Sequence, residues 1–203
     1  MATLEFWFDF ASTYSYPAAM RVEALARREN IAVIWKPFLL GPIFRRQGLT
    51  DSPFNVYPAQ GRYMWRDLER ICADLEIPLR RPSVFPRNGV LAARVACAFA
   101  AEPWLPEFAR QVFRANFADD ADIAQREVIE TCLNRVGVSG AEKIERALAP
   151  ANKDALRSQT ERAAAIGIFG APTFVADREM FWGNDRLERA IAWCRSPGLG
   201  QSA

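Results

Sequence analysis

Three short segments hold the residues best placed to do chemistry. Ser12-Thr13-Tyr14-Ser15 sits between an apolar run and a helical pattern. Such a junction lies at the carboxyl edge of a parallel strand pair, where unpaired N–H groups and the positive helix end favour an anion. Ser12 is therefore a candidate for stabilising negative charge, or a helix cap worth ~1 kcal/mol. Gly170-Ala171-Pro172-Thr173-Phe174 starts a strand with a proline, which lacks the donor a paired strand needs. A cis Ala171-Pro172 peptide would turn the chain and leave the Ala171 main chain open to an extended peptide ligand; an ordinary trans turn is the alternative. In Gly183-Asn184-Asp185-Arg186-Leu187, Asn184 or Asp185 can cap the last helix. Together, a helix N-terminus for a carboxylate and an acid for an ammonium would also match the head group of an α-amino acid.

Composition narrows the chemistry further. The chain has 203 residues and no histidine, which removes Ser-His-Asp and Cys-His nucleophile systems, His-ligated zinc and any imidazole acid or base. Cys72, Cys97, Cys132 and Cys194 are far apart, with no C-x-x-C, so no metal site and no dithiol centre is expected. They read as thiols packed like small apolar residues. With 26 Lys plus Arg against 24 Asp plus Glu, the net charge is +2. That balance predicts neither a nucleic-acid nor a membrane partner and leaves a small molecule. No window reaches the ~18 apolar residues of a membrane span. The first residues lack a basic, then apolar, leader pattern, so a reducing cytoplasmic location is expected.

The positioning elements follow from periodicity. Thr3 to Phe10, apolar on both sides of its alternation, predicts a central strand. Thr13 to Asn30 predicts a helix and Ile31 to Trp35 a second strand, hence a βαβ unit with a parallel pair. After Pro37 a long loop containing Pro42, Pro53 and Pro58 leads into helical periodicity that lasts to about Gly167. Pro78, Pro82 and Pro86 break one connection there, Pro103 and Pro106 open a helix, and helices are predicted over 123–136 and 152–166. The closing stretch reads strand, tight turn, strand, helix. The fold class is α/β: one four-stranded sheet, with an all-helical lobe inserted between its first and last units. A chain of this length buries roughly 70% of its unfolded surface, enough without staples.

Phe8-Asp9-Phe10-Ala11-Ser12, Gly61-Arg62-Tyr63-Met64-Trp65-Arg66-Asp67, Gly170 to Phe174 and Trp182 to Leu187 together resemble the kappa-class glutathione transferases and 2-hydroxychromene-2-carboxylate isomerases of the DsbA-like thioredoxin-fold superfamily. The resemblance runs from about Thr3 to Trp193. It implies a thioredoxin-like domain from residues 1–40 and 167–203, an inserted helical domain from 41–166, and a homodimer. It also implies reduced glutathione as cofactor, with Ser12 on the sulfur and Ala171 on the tripeptide backbone beside a cis Pro172. Trp182, Gly183, Asn184 and Asp185 would take the γ-glutamyl end, with Asn55 as a further contact. The chain departs from the family pattern at Thr13, where proline is common, and at Gln60, where lysine often stands.

In that superfamily Ser12 and Ser15 occupy both cysteine positions of a C-x-x-C, which excludes thiol–disulfide exchange by this motif. What remains is a pocket for a thiolate supplied by a ligand. A thiol of pKa ~8.5 is about 3% ionised at pH 7; lowering it by ~2 units takes ~2.7 kcal/mol. One hydroxyl hydrogen bond to charged sulfur, roughly 1.5–3 kcal/mol, plus a helix end could supply that. The implied reaction is a cis-trans isomerisation of 2-hydroxychromene-2-carboxylate or a related unsaturated aromatic pyruvate. The alternatives are a kappa-like transferase conjugating an electrophile, and a peptide or glutathione binder without turnover. An acidic aromatic substrate needs a cation, for which Arg45 and Arg62 are the candidates, with Arg46 and Arg66 behind them. Phe38, Phe44, Phe54, Tyr57, Tyr63, Met64 and Trp65 either line an aromatic pocket or form lobe core.

Overall fold

A computed structural model describes residues 1–195; residues 196–203, which the expected domain boundary included, lie outside them. The central strand is β1, Thr3–Phe8, flanked by β2 (Ala32–Pro37) in parallel and β3 (Thr173–Ala176) in antiparallel. With β4 (Glu179–Trp182) the sheet order is β2-β1-β3-β4. The period of two sorts β1 between two cores: Leu4, Phe6 and Phe8 face one hydrophobic cluster, and Trp7 faces a second with Phe38, Ile43, Ala163 and Ile168. The strand stops two residues before the expected Phe10. Asp9 turns the chain, its carbonyl accepting the Ser12 N–H at 2.9 Å and its carboxylate the N–H groups of Ala11 at 2.8 Å and Leu40 at 2.7 Å. Burial pushes the Asp9 carboxyl up, against the pull of those two donors.

Helix α1, Ser15–Arg28, carries Arg27 and Arg28 at its electronegative end and gives way to Asn30 in the left-handed region at φ 55°. It begins two residues later than the periodicity predicts, because Thr13 and Tyr14 form a turn. The β3–β4 connection has Asp177 and Arg178 at φ 47° and 71°, as a two-residue hairpin with positive φ at both positions requires.

Between β2 and β3 lie eight helices: α2 (Leu40–Arg46), α3 (Pro53–Val56), α4 (Pro58–Asp74), α5 (Val90–Ala98), α6 (Leu105–Phe117), α7 (Arg126–Arg135), α8 (Gly140–Leu148) and α9 (Pro150–Ala165). The loop expected after Pro37 thus contains two short helices. Proline stands in the first turn of α3, α4, α6 and α9, where the missing N–H costs no helical bond. The chain closes with a 3-10 turn over Asn184–Arg186 and α10, Leu187–Arg195.

Lobe and sheet share one core. Phe113 of α6 lies 5.9 Å from the Phe8 ring and 5.1 Å from the Phe10 ring, and Tyr16 stacks on Phe117 at 5.5 Å. The Tyr16 hydroxyl donates to the Pro78 carbonyl at 2.6 Å. Met64 and Trp65 belong to this core, not to a pocket. Among the described residues no helix is long and apolar enough to cross a membrane.

Candidate active site

The carboxyl end of β1, the entry to β3 and the exit from β4 meet at the same end of the sheet, facing the lobe. The cavity between them measures about 1270 Å³. That exceeds the roughly 300–1,000 Å³ of an ordinary one-ligand pocket and suits two molecules side by side. Ser12, Ala171, Trp182, Gly183, Asn184 and Asp185 all line it, with Arg45 on the lobe wall.

Ser12 holds the first loop against the entry to β3. Its hydroxyl donates to the Ala171 carbonyl at 3.0 Å and accepts the Ser15 N–H at 3.3 Å, so it caps the start of α1 while bridging to the far end of the chain. The Ala171-Pro172 peptide is cis, the sharper of the two readings of that segment. The Pro172 carbonyl accepts the Gly183 N–H at 2.9 Å, and the Ala171 N–H donates to no group among the described residues. Thr13 Oγ1, Ser15 Oγ and Asn184 Oδ1 are buried without a hydrogen-bond partner there.

The indole of Trp182 packs on Gly170, where a Cβ would come within 2.4 Å of Nε1, so a side chain there would have to displace the indole. Phe169 meets the same indole at 4.8 Å on the rim. Behind Asn184, Arg21 of α1 donates to its carbonyl at 2.9 Å and pairs with Glu188 at 2.5 Å, fixing the turn that starts α10. The Asp185 carboxylate lies 3.0 Å from Arg186.

Three expected contacts fall outside the lining. Arg62 projects to solvent: at 100° per residue, the cavity face of α4 is Tyr63, Asp67 and Ile71, and Arg62 and Arg66 stand on the outer side. Arg66 pairs there with Glu69 at 2.8 Å. Asn55 turns its amide to Asp51 at 2.9 Å and to the Phe85 carbonyl at 3.1 Å. Pro172 sits behind Ala171. Phe44, Phe54 and Tyr63 do line the cavity, and Tyr57 does not.

Other lining residues escaped the sequence reading. Tyr14 reaches across to α4, donating its phenol to Asp67 at 2.9 Å. Burial first, then the Asp67 carboxylate, push that phenol above its usual range, so it stays protonated as a donor. Arg87 is almost wholly buried and committed to the Asp120 carboxylate, Ser83 and the Asn116 carbonyl. Asn116 in turn donates to the Phe10 carbonyl at 3.0 Å, tying the lobe to the loop that carries Ser12. Among the described residues Arg45 makes no salt bridge, unlike Arg87 and Arg186.

No cysteine lines the cavity. Burial pushes the Cys72 and Cys132 thiols up to about 11 and Cys97 up to about 12, and raises Cys194. The protein therefore carries no thiolate of its own near neutral pH.

A four-stranded sheet of this order, broken by a helical lobe and with a cis proline at the entry to β3, defines a thioredoxin-fold protein. The sequence profile of the DSBA-like thioredoxin domain matches residues 3–190. The chain is 30% identical to glutathione S-transferase kappa 1 of Homo sapiens, over 92% of this chain and 88% of that protein. It is 29% identical to 2-hydroxychromene-2-carboxylate isomerase of Sphingobium xenophagum, over 92% and 94%. A solved 2-hydroxychromene-2-carboxylate isomerase superimposes with a TM-score of 0.84 at 23% identity, covering 94% of this chain and 93% of its own. The chain belongs to the DsbA-like thioredoxin family, in the group of kappa-class glutathione transferases and 2-hydroxychromene-2-carboxylate isomerases. These relatives are enzymes.

Proposed function

We propose that the protein is a glutathione-dependent isomerase of an unsaturated aromatic pyruvate of the 2-hydroxychromene-2-carboxylate type. The observation that carries this reading is Ser12 Oγ, 3.0 Å from the Ala171 carbonyl, on the wall of a cavity that no cysteine lines. The residues fit the tripeptide: an open Ala171 N–H can pair with an extended main chain, and the buried Asn184 Oδ1 lacks the donor an ammonium would bring. When bound, glutathione supplies a thiolate that adds reversibly to a conjugated double bond and so frees it to rotate. Ser12 donates to the sulfur and favours its charged form. Ala171 aligns the peptide, and the turn over Asn184 and Asp185 receives the γ-glutamyl end. Arg45 holds the substrate carboxylate, while Phe44, Phe54 and Tyr63 flank its rings.

An authentic hydroxychromene carboxylate is expected to show a spectral change that requires only catalytic glutathione and leaves the substrate mass unchanged. Stoichiometric loss of glutathione with a heavier product would instead establish a transferase. Arg45→Ala is expected to raise KM for the aromatic acid about fivefold with kcat little altered, as for a partly screened ion pair. An unchanged KM at low salt would remove Arg45 from the site.

A further inference from the structure

A 2-hydroxychromene is a cyclic hemiketal whose ring double bond is conjugated only with the benzene ring. It offers a thiolate no carbonyl to draw electrons until the hemiketal opens to a ketone beside that double bond. Opening moves a proton from the hemiketal hydroxyl to the ring oxygen, which becomes a phenol. Neither Ser12 nor Arg45 has that task.

Four aspartates line the cavity among the described residues, and three of them are committed. Asp9 accepts the N–H groups of Ala11 and Leu40, and Asp51 accepts the Ser52 N–H at 2.6 Å and the Asn55 amide at 2.9 Å. Asp185 pairs with Arg186. Asp67 differs: among the described residues its one hydrogen-bond partner is the Tyr14 hydroxyl at 2.9 Å, while Arg70 stands off at 3.9 Å. Tyr14 directs its only proton to that carboxylate, so toward the cavity its oxygen can only accept. Its ring meets Phe54 edge-on at 6.3 Å, on the wall assigned above to the substrate rings. A phenol backed by a carboxylate can take one proton as it passes its own on.

Resting on the isomerase reading above, we propose that Tyr14 opens the hemiketal of a ring-closed substrate, with Asp67 as the positioning residue that takes up the relayed proton. The hemiketal O–H bond breaks, its proton passing to Tyr14 Oη while the Tyr14 proton passes to Asp67. The bond from the hemiketal carbon to the ring oxygen breaks, its electron pair leaving as phenolate, and the hydroxyl oxygen becomes the ketone. Asp67 then gives its proton to cavity water and the phenolate takes one from water. Protons and electrons balance without a further reactant. The thiolate held by Ser12 acts afterwards, on the double bond.

The test compares 2-hydroxychromene-2-carboxylate with cis-benzylidenepyruvate, which lacks the ring hydroxyl, cannot close, and so needs the thiolate alone. Turnover is followed by absorbance with glutathione in excess. Tyr14→Phe keeps the ring on Phe54, and Asp67→Asn keeps an acceptor for the phenol but cannot hold its proton. Each is expected to lower kcat on the chromene about 10²-fold, as for a lost acid–base group, and to leave kcat on the open substrate within about threefold. Ser12→Ala should slow both substrates.

Equal losses on both substrates overturn the relay, since a merely structural role would not separate them. Unchanged chromene turnover in Tyr14→Phe also overturns it and leaves ring opening to water. A wild type that isomerises the open substrate but not the chromene removes the relay while the thiolate chemistry stands. A wild type inert on both removes the isomerase reading, and the relay with it.

Discussion

Ser12→Ala is expected to lower kcat about 10²–10³-fold, the usual loss when one donor to a developing or resident anion is removed. The variant should keep its fold, because the side chain is small and its loss removes one cap bond to the Ser15 N–H, worth ~1 kcal/mol. Loss of the hydroxyl returns the bound thiol toward its ordinary pKa of ~8.5. On the proposed glutathione reading, the wild-type thiolate is already formed below that value, so activity should be near its plateau at neutral pH. The variant instead gains activity as pH rises through ~8.5, and the gap between the two narrows in alkali. Steady-state rates from pH 6 to 9.5 check this, and parallel profiles at every pH would remove Ser12 from sulfur ionisation.

Phe113→Ala should be the most destabilising single change near the site, by about 3–5 kcal/mol. Phe113 is fully buried and meets Phe8, Phe10 and Tyr16 at ring distances of 5.9, 5.1 and 6.4 Å. It joins α6 of the lobe to β1, to the loop before Ser12 and to α1, and its loss leaves a cavity at that junction. Against a total stability of 5–15 kcal/mol typical of such chains, the urea midpoint should fall steeply. Val84→Ala, at a side chain 63% exposed, should move it by less than about 0.5 kcal/mol. A Phe113 variant as stable as the Val84 one would mean that lobe and sheet do not share a core.

The parts of the molecule legible in the sequence are those set by local rules. Apolar residues on both sides of the alternation marked β1 as central, apolar spacing marked α1, and a proline at a strand entrance marked the Ala171-Pro172 turn. The short helices α2 and α3 were hidden because a proline in a first helical turn looks the same as a proline in a loop. Arg62 was misplaced for a related reason: the motif names the residues of α4, but one step of 100° decides whether Arg62 or Tyr63 faces the cavity. The Tyr14–Asp67 hydrogen bond and the path from Arg87 through Asn116 to Phe10 leave no periodic trace. Each partner is an ordinary polar residue until the lobe folds back on the first loop.

The hydrogen bond between Ser12 and Ala171 joins residues 159 positions apart, and everything in the lobe is made between them. A ribosome finishes the first loop early and supplies its facing wall only when β3 emerges. A chain that has not yet reached Ala171 has one wall of the cavity without the other, so the site is completed only near the end of synthesis.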